Sequence, residues 1–222
     1  DGALKSREQL KDIQIEDLLP RDPININMLE IALNIEGKRV MVTGAAGSIG
    51  SEIVRQVASF NPNSIILIDQ AETPLHDLKL ELKDKWRDLR TEIVVANVSN
   101  ISRMDKIFSK TRPQYIFHAA AYKHVPMMED NVSESVQTNI LGTKIVADLA
   151  VRYNAQKFVM ISTDKAVNPS NVMGCSKRIC EIYVQALAKH VEKTAQTSTQ
   201  FITTRFGNVL GSNGSVIPLF RE

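Results

Sequence analysis

Residues 38–44, KRVMVTG, form a short apolar run that breaks into three glycines, Gly44, Gly47 and Gly50, in GAAGSIG. Apolar side chains then recur at Ile49, Ile53, Val54, Val57 and Ala58, close to the helical period. A strand, a glycine turn and a helix in that order commit the chain to a crossover, because the next strand can only lie parallel to the first. The alternation continues. SIILID (64–69) reads as a strand and TPLHDLKLELKDKW as a helix, capped by Thr73 with Pro74 in its first turn. EIVVANV is the third strand, 101–110 a helix and QYIFHAA the fourth strand. A long helix within 131–153, the strand KFVMIS, a helix from Val172 to His190 and the strand QFITTRFGNVL complete the series. Six strands alternating with helices specify an α/β fold, a doubly wound parallel sheet of the Rossmann type. Residues 1–36 mix charge with Pro20 and Pro23 and read as an arm, leaving 37–222 as the folded domain.

Glycines between a first strand and its helix let the backbone approach a pyrophosphate, which the free N–H groups of the helix start attract. Asp69 ends the second strand nineteen residues after Gly50, where a carboxylate accepts from both ribose hydroxyls and repels a 2′-phosphate. The expected cofactor is therefore NAD, not NADP; the alternative is that Asp69 only caps the next helix. Asn97 and Val98, ending the third strand, are placed to touch adenine. The small residues Ala119, Ala120 and Ala121 either let the cofactor lie close or simply pack.

Composition excludes several classes. Lys and Arg number 27 against 25 Asp and Glu, and no basic run interleaved with aromatics favours nucleic acid. Cys175 and Cys180 read as free thiols, and His76, His118, His124 and His190 are scattered, so no metal is expected. No apolar run approaches the roughly 20 residues that span a bilayer. What stands out is ISTDKAVNPSNVMGCSK (161–177), where a strand ends by presenting Thr163, Asp164 and Lys165 together.

With the glycine triplet, HAAAYKHVP, Thr138-Asn139, STDKAVNP and RFGNVLGS in order, the chain resembles the extended short-chain dehydrogenase/reductase superfamily. More narrowly it is similar to nucleotide-sugar 4,6-dehydratases of the polysaccharide biosynthesis group, which serve capsule, O-antigen and glycan synthesis. That resemblance implies a UDP-N-acetylglucosamine 4,6-dehydratase that oxidises the sugar C4 with NAD, eliminates water across C5 and C6 and returns the hydride to C6. A UDP-sugar 4-epimerase, a dehydratase that also inverts C5, and a non-catalytic NAD-binding module are the alternatives. It further implies Ser48 and Ile49 beside the glycines as cofactor residues, Asp164 as acid, Lys165 as base and Thr163 near the C4 oxygen. Lys123, His124, Asn139 and Asn208 would meet the substrate, with Met127, Met128 and Glu129 bordering the sugar pocket. A homodimer through the 131–153 and 172–190 helices follows from the same likeness. So does an arm that follows a membrane region on the cytoplasmic side of the inner membrane, and a chain ending at IPLFRE before most of the substrate subdomain.

One position departs from the superfamily pattern. Tyr-x-x-x-Lys is replaced by Met173-Gly174-Cys175-Ser176-Lys177. Lys177 keeps the nicotinamide-ribose role, but a thioether cannot accept the C4 proton. The expectation is that Lys165, Asp164 or a water held by Thr163 accepts it and that Met173 only packs. Cys175 has no basic partner at its spacing and is read as structural.

Overall fold

The computed structural model describes residues 27–195 and 197–207. Within them the elements are α1 (Met28–Ile35), β1 (Arg39–Thr43), α2 (Ser48–Ala58), β2 (Ser64–Asp69), α3 (Glu72–Lys85), β3 (Thr91–Val95), α4 (Ile101–Thr111) and β4 (Tyr115–His118). They are followed by α5 (Val125–Asp130), α6 (Val132–Glu134), a π-helical turn (Ser135–Leu141), α7 (Gly142–Arg152), β5 (Lys157–Thr163), a 3₁₀ turn (Asp164–Ala166), α8 (Val172–Thr194) and β6 (Gln200–Phe206). The six strands pair in parallel in the order β3-β2-β1-β4-β5-β6. The strand order therefore reverses at β1, and ligands of such sheets bind beyond the carboxyl ends at that switch point.

Two cores cover the two faces, and the period-two alternation of the strands decides which side chain enters which. Val40, Val42, Ile65 and Leu67 face Val54 and Val57 of α2, Leu75, Leu78 and Leu82 of α3, and Ile35 of α1. Met41, Ile66, Ile68, Ile116, Phe158 and Met160 face Met104 and Phe108 of α4, Val146 and Leu149 of α7, and Val184 of α8. Burying both faces is what lets these strands be nearly all apolar. Among the described residues no helix is long and apolar enough to cross a membrane.

Four details differ from the sequence reading. Thr73 is not the cap of α3: that helix starts at Glu72, its N-cap is Ala71, and the Thr73 hydroxyl donates to the Glu72 carboxylate. The third strand stops at Val95, so Asn97 and Val98 lie in the loop beyond it. The helix within 131–153 runs from Val132 to Arg152 but passes through a π turn, a widening often found at functional sites. β6 ends at Phe206, and Asn208 lies outside the described residues.

Candidate cofactor cleft and active site

The glycine turn is built for close approach. Gly44 has φ +68°, and a Cβ there would stand 2.5 Å from the Ala120 nitrogen, so β1 could not carry a side chain at its tip against the β4 loop. A Cβ on Gly50 would sit 1.9 Å from the Gly44 carbonyl oxygen, which fixes α2 directly over the turn. The resulting cleft, about 230 Å³, is lined by Gly44, Gly47, Asp69, Asn97, Val98, Ala119, Ala120 and Ala121, together with Ala46, Gln70, Ala71, Tyr122 and Thr138. Ser48 and Ile49 form the first residues of α2 at its edge. Eight residues selected from the sequence thus meet in one place. Gln70 was missed, because nothing in its type or spacing sets it apart; Tyr122 and Thr138 lay inside quoted motifs but were given no role.

Asp69 does two things at once. One carboxylate oxygen accepts from the Ala46 N–H and the other from the Ala71 N–H, each at 2.9 Å, tying the glycine turn to the start of α3. A carboxylate offers about four lone-pair positions, so two remain for ribose hydroxyls. Capping and cofactor recognition are compatible here, and the glycine turn with the free lone pairs of Asp69 suits the phosphate and ribose of a nucleotide.

Beneath the cleft lies a buried polar layer. His118 bonds through Nδ1 to Thr43 Oγ1 at 2.7 Å and through Nε2 to Thr143 Oγ1 at 2.9 Å, and stacks on Phe158. Burial, reinforced by Lys177, lowers its pKa to about 3, so it is a neutral spacer between β1 and α7. Asn139, in the π turn, is fully buried; it accepts from the Tyr122 N–H at 2.8 Å and donates to the Tyr122 carbonyl at 3.1 Å and to Ser176 Oγ at 2.9 Å. The Asn139 amide, read from the sequence as a substrate contact, here braces the β4 loop. Lys123 and His124, just beyond, are exposed.

At the end of β5 the Thr163 hydroxyl donates to Asp164 Oδ1 at 3.0 Å, and Lys165 Nζ approaches the same oxygen at 3.4 Å. The Asp164 carboxyl lies below its usual range, chiefly because Thr163 donates to it, with Lys165 adding to the effect and partial burial opposing it. α8 begins against this turn: a Cβ on Gly174 would stand 2.3 Å from the Lys165 carbonyl oxygen. The Asn171 side chain caps α8 by accepting from the Gly174 N–H, and Glu129 of α5 accepts from the Val172 N–H at 2.7 Å. Met173 is buried in the first turn, and Lys177 is buried one turn later, its pKa lowered by desolvation and supported in the other direction by Cys180 and Glu181. Cys175 is exposed and Cys180 buried, its thiol pushed up by burial.

Sequence reasoning also missed Glu181, whose side chain is fully buried yet accepts from Ser162 at 2.7 Å, Arg205 at 2.8 and 2.6 Å and Arg178 at 3.1 Å. Its position one helical turn after Lys177, on the face that carries Cys180 and Val184, was the available signal. Among the described residues no three His, Cys, Asp or Glu side chains converge as metal ligands.

Comparison with known proteins places this geometry. The family model described as "Polysaccharide biosynthesis protein" matches residues 40–222. The chain belongs to that family. The capsular polysaccharide biosynthesis protein CapD of Staphylococcus aureus is 49% identical over 96% of this chain and 35% of its own length. A UDP-glucose 4-epimerase of Rickettsia canadensis is 35% identical over 82% of this chain and 52% of its own. The inverting UDP-N-acetylglucosamine 4,6-dehydratase of Campylobacter jejuni is 32% identical over 84% and 53%. Among solved structures, Pen from Bacillus thuringiensis superposes with a TM-score of 0.77 at 33% identity, over 84% of this chain and 57% of that one. The chain thus spans about a third to a half of the length of these family relatives.

Proposed function

We propose that this chain carries the NAD site and the acid–base pair of a UDP-N-acetylglucosamine 4,6-dehydratase acting in polysaccharide synthesis. The observation that carries the reading is the Thr163–Asp164–Lys165 cluster at the carboxyl end of β5, two strands from β1 and the glycine-turn cleft at its end. NAD, when bound, would supply the hydride acceptor for the sugar C4 and the hydride donor for C6. The glycine turn, Asp69 and the Ala119–Ala121 backbone would hold it, with Lys177 at the nicotinamide ribose.

The protein's own groups then have defined tasks. Asp164 is a carboxylate at neutral pH, so it can accept the C4 hydroxyl proton that Met173 cannot take. Having done so it is the acid that protonates the departing C6 hydroxyl, which leaves as water, while Lys165, once it has released its own proton to solvent, removes the C5 proton made acidic by the C4 ketone. One carboxyl group thereby serves both oxidation and elimination. Met173 only packs in this scheme. Met173→Ala should slow turnover by less than about tenfold, a loss of packing, and a loss as complete as that of Asp164→Asn would refute it.

The identity to a UDP-glucose 4-epimerase supports a second reading. Epimerisation needs acid–base chemistry at C4 alone and leaves an adjacent Asp–Lys pair without a task, which favours dehydration. Incubation with UDP-N-acetylglucosamine and UDP-glucose, followed by product analysis, decides between them. A 4-keto-6-deoxy sugar supports the proposal and a C4 epimer overturns it.

Cofactor choice gives a separate test. Asp69→Ala should weaken NAD by roughly tenfold, the worth of two hydrogen bonds at about 0.5–1.5 kcal/mol each, and narrow the preference over NADP; an unchanged preference would remove Asp69 from the ribose site. A homodimer is also proposed, supported by the exposed apolar side chains Val136 and Leu141 on the π turn and Ile179 and Ile182 on α8.

A further inference from the structure

We propose that Gln70 and Tyr122 form a clasp over the carboxyl end of β1 that gates passage of the cofactor, an inference that rests on the NAD reading above. β1 lies between β2 and β4 in the sheet, and its glycine turn is part of the cleft wall. Gln70 directly follows β2, and Tyr122 stands four residues beyond the end of β4. Gln70 Nε2 donates to the Tyr122 hydroxyl at 2.9 Å. A bond between loops that leave the two strands flanking β1 has to cross above β1, and both residues line the cleft it crosses.

The bridge extends to a third strand. Asn97, beyond β3, donates through Nδ2 to Gln70 Oε1 at 3.1 Å, and Asn97 is itself held by Ser99, whose N–H and hydroxyl both donate to its Oδ1 at 2.8 Å. Gln70 therefore uses both ends of its amide, one toward β3 and one toward β4. The two sides of the clasp differ in rigidity. The Tyr122 backbone is clamped on both its N–H and its carbonyl by the buried Asn139, whereas Gln70 is exposed and is placed by its side-chain bonds. Tyr122 is the post and Gln70 the moving arm; rotation of one solvent-facing side chain opens the mouth.

A gate opposes entry and exit alike, whereas a ligand contact opposes exit alone. Stopped-flow NADH fluorescence on the unsubstituted protein, Tyr122→Phe and Gln70→Ala separates the two. Losing one such hydrogen bond changes a rate by roughly two- to tenfold. The association and dissociation rates should rise together by that factor in Tyr122→Phe and by at least as much in Gln70→Ala, which also loses the bond from Asn97, leaving Kd within about twofold of its starting value, as equal changes in both rates require. Unchanged rates in the variants would overturn the clasp alone, as would a faster dissociation with association unaltered, which would make Tyr122 a ligand contact. Failure of the unsubstituted protein to bind NADH or NAD would overturn the cofactor reading and the clasp with it.

Discussion

On the proposed dehydratase reading, Asp164→Asn should lower dehydration of UDP-N-acetylglucosamine by about 10²- to 10⁴-fold, the range that a positioned general acid or base supplies. The proposal asks this one carboxyl group to accept the C4 proton and to return it to the C6 hydroxyl, and an amide can do neither. The measurement is steady-state turnover, in a length of the chain that turns over the sugar, beside NAD binding and thermal stability. NAD affinity should hold within about twofold, because Asp164 is not among the residues that line the dinucleotide cleft. Stability should hold as well. The Asp164 and Lys165 side chains are 57% and 38% exposed, and such ion pairs contribute only about 0–1 kcal/mol. Lost activity with NAD binding and fold intact is thus the expected signature. Turnover within about threefold of the unsubstituted protein, far short of a general acid's share, would take Asp164 out of the chemistry. Loss of NAD binding with the fold intact would mean that the cluster belongs to the cofactor site.

The parts of the site that were legible in the sequence are those where backbone geometry dictates residue type. Gly44 and Gly50 admit no Cβ, so glycine there announces a close approach whatever surrounds it. Asp69 ends an otherwise apolar strand, and a charge at such a tip needs a partner or a use. That the sheet is parallel and doubly wound followed from the alternation of strands and helices, whereas its strand order did not. What stayed hidden depends on side chains that meet through the fold. Asn139 and Tyr122 are seventeen residues apart, and nothing in either position says that an amide grips a backbone. Thr73 looked like a cap because its type fits. The N-cap position went to Ala71, whose N–H donates to the Asp69 carboxylate two residues before it, one local arrangement displacing another. The π turn was invisible for a related reason: its seven residues, SVQTNIL, have ordinary helical composition.

Glu181 illustrates the same limit and carries the other large effect. Glu181→Gln should cost about 3 kcal/mol of stability, the low end of the range for breaking a buried ion pair, because Arg178 and Arg205 keep 42% and 41% of their side chains in solvent. The carboxylate draws together β5 through Ser162, β6 through Arg205 and α8 itself, so its loss leaves two guanidinium groups facing each other across the carboxyl end of the sheet. Burial pushes this carboxyl up, but hydrogen bonds from Arg205, Ser162 and Arg178 outweigh that and bring it from 4.5 to about 2. A folded-state value below the unfolded one means that the stabilisation is fully present above pH 4.5 and is lost as pH falls toward about 2. Urea denaturation at pH 7 and at pH 3 reads both consequences. The unsubstituted protein should lose stability between the two, and Glu181→Gln should lose measurably less, because one acid that must be protonated is gone. Should the variant fail to fold at all, Ser162→Ala, which leaves both arginines on the carboxylate, should fold and lose about 1 kcal/mol at pH 7, the usual worth of one hydrogen bond. A Glu181→Gln protein as stable as its parent at pH 7 would show that the network contributes nothing to holding β5, β6 and α8 in register.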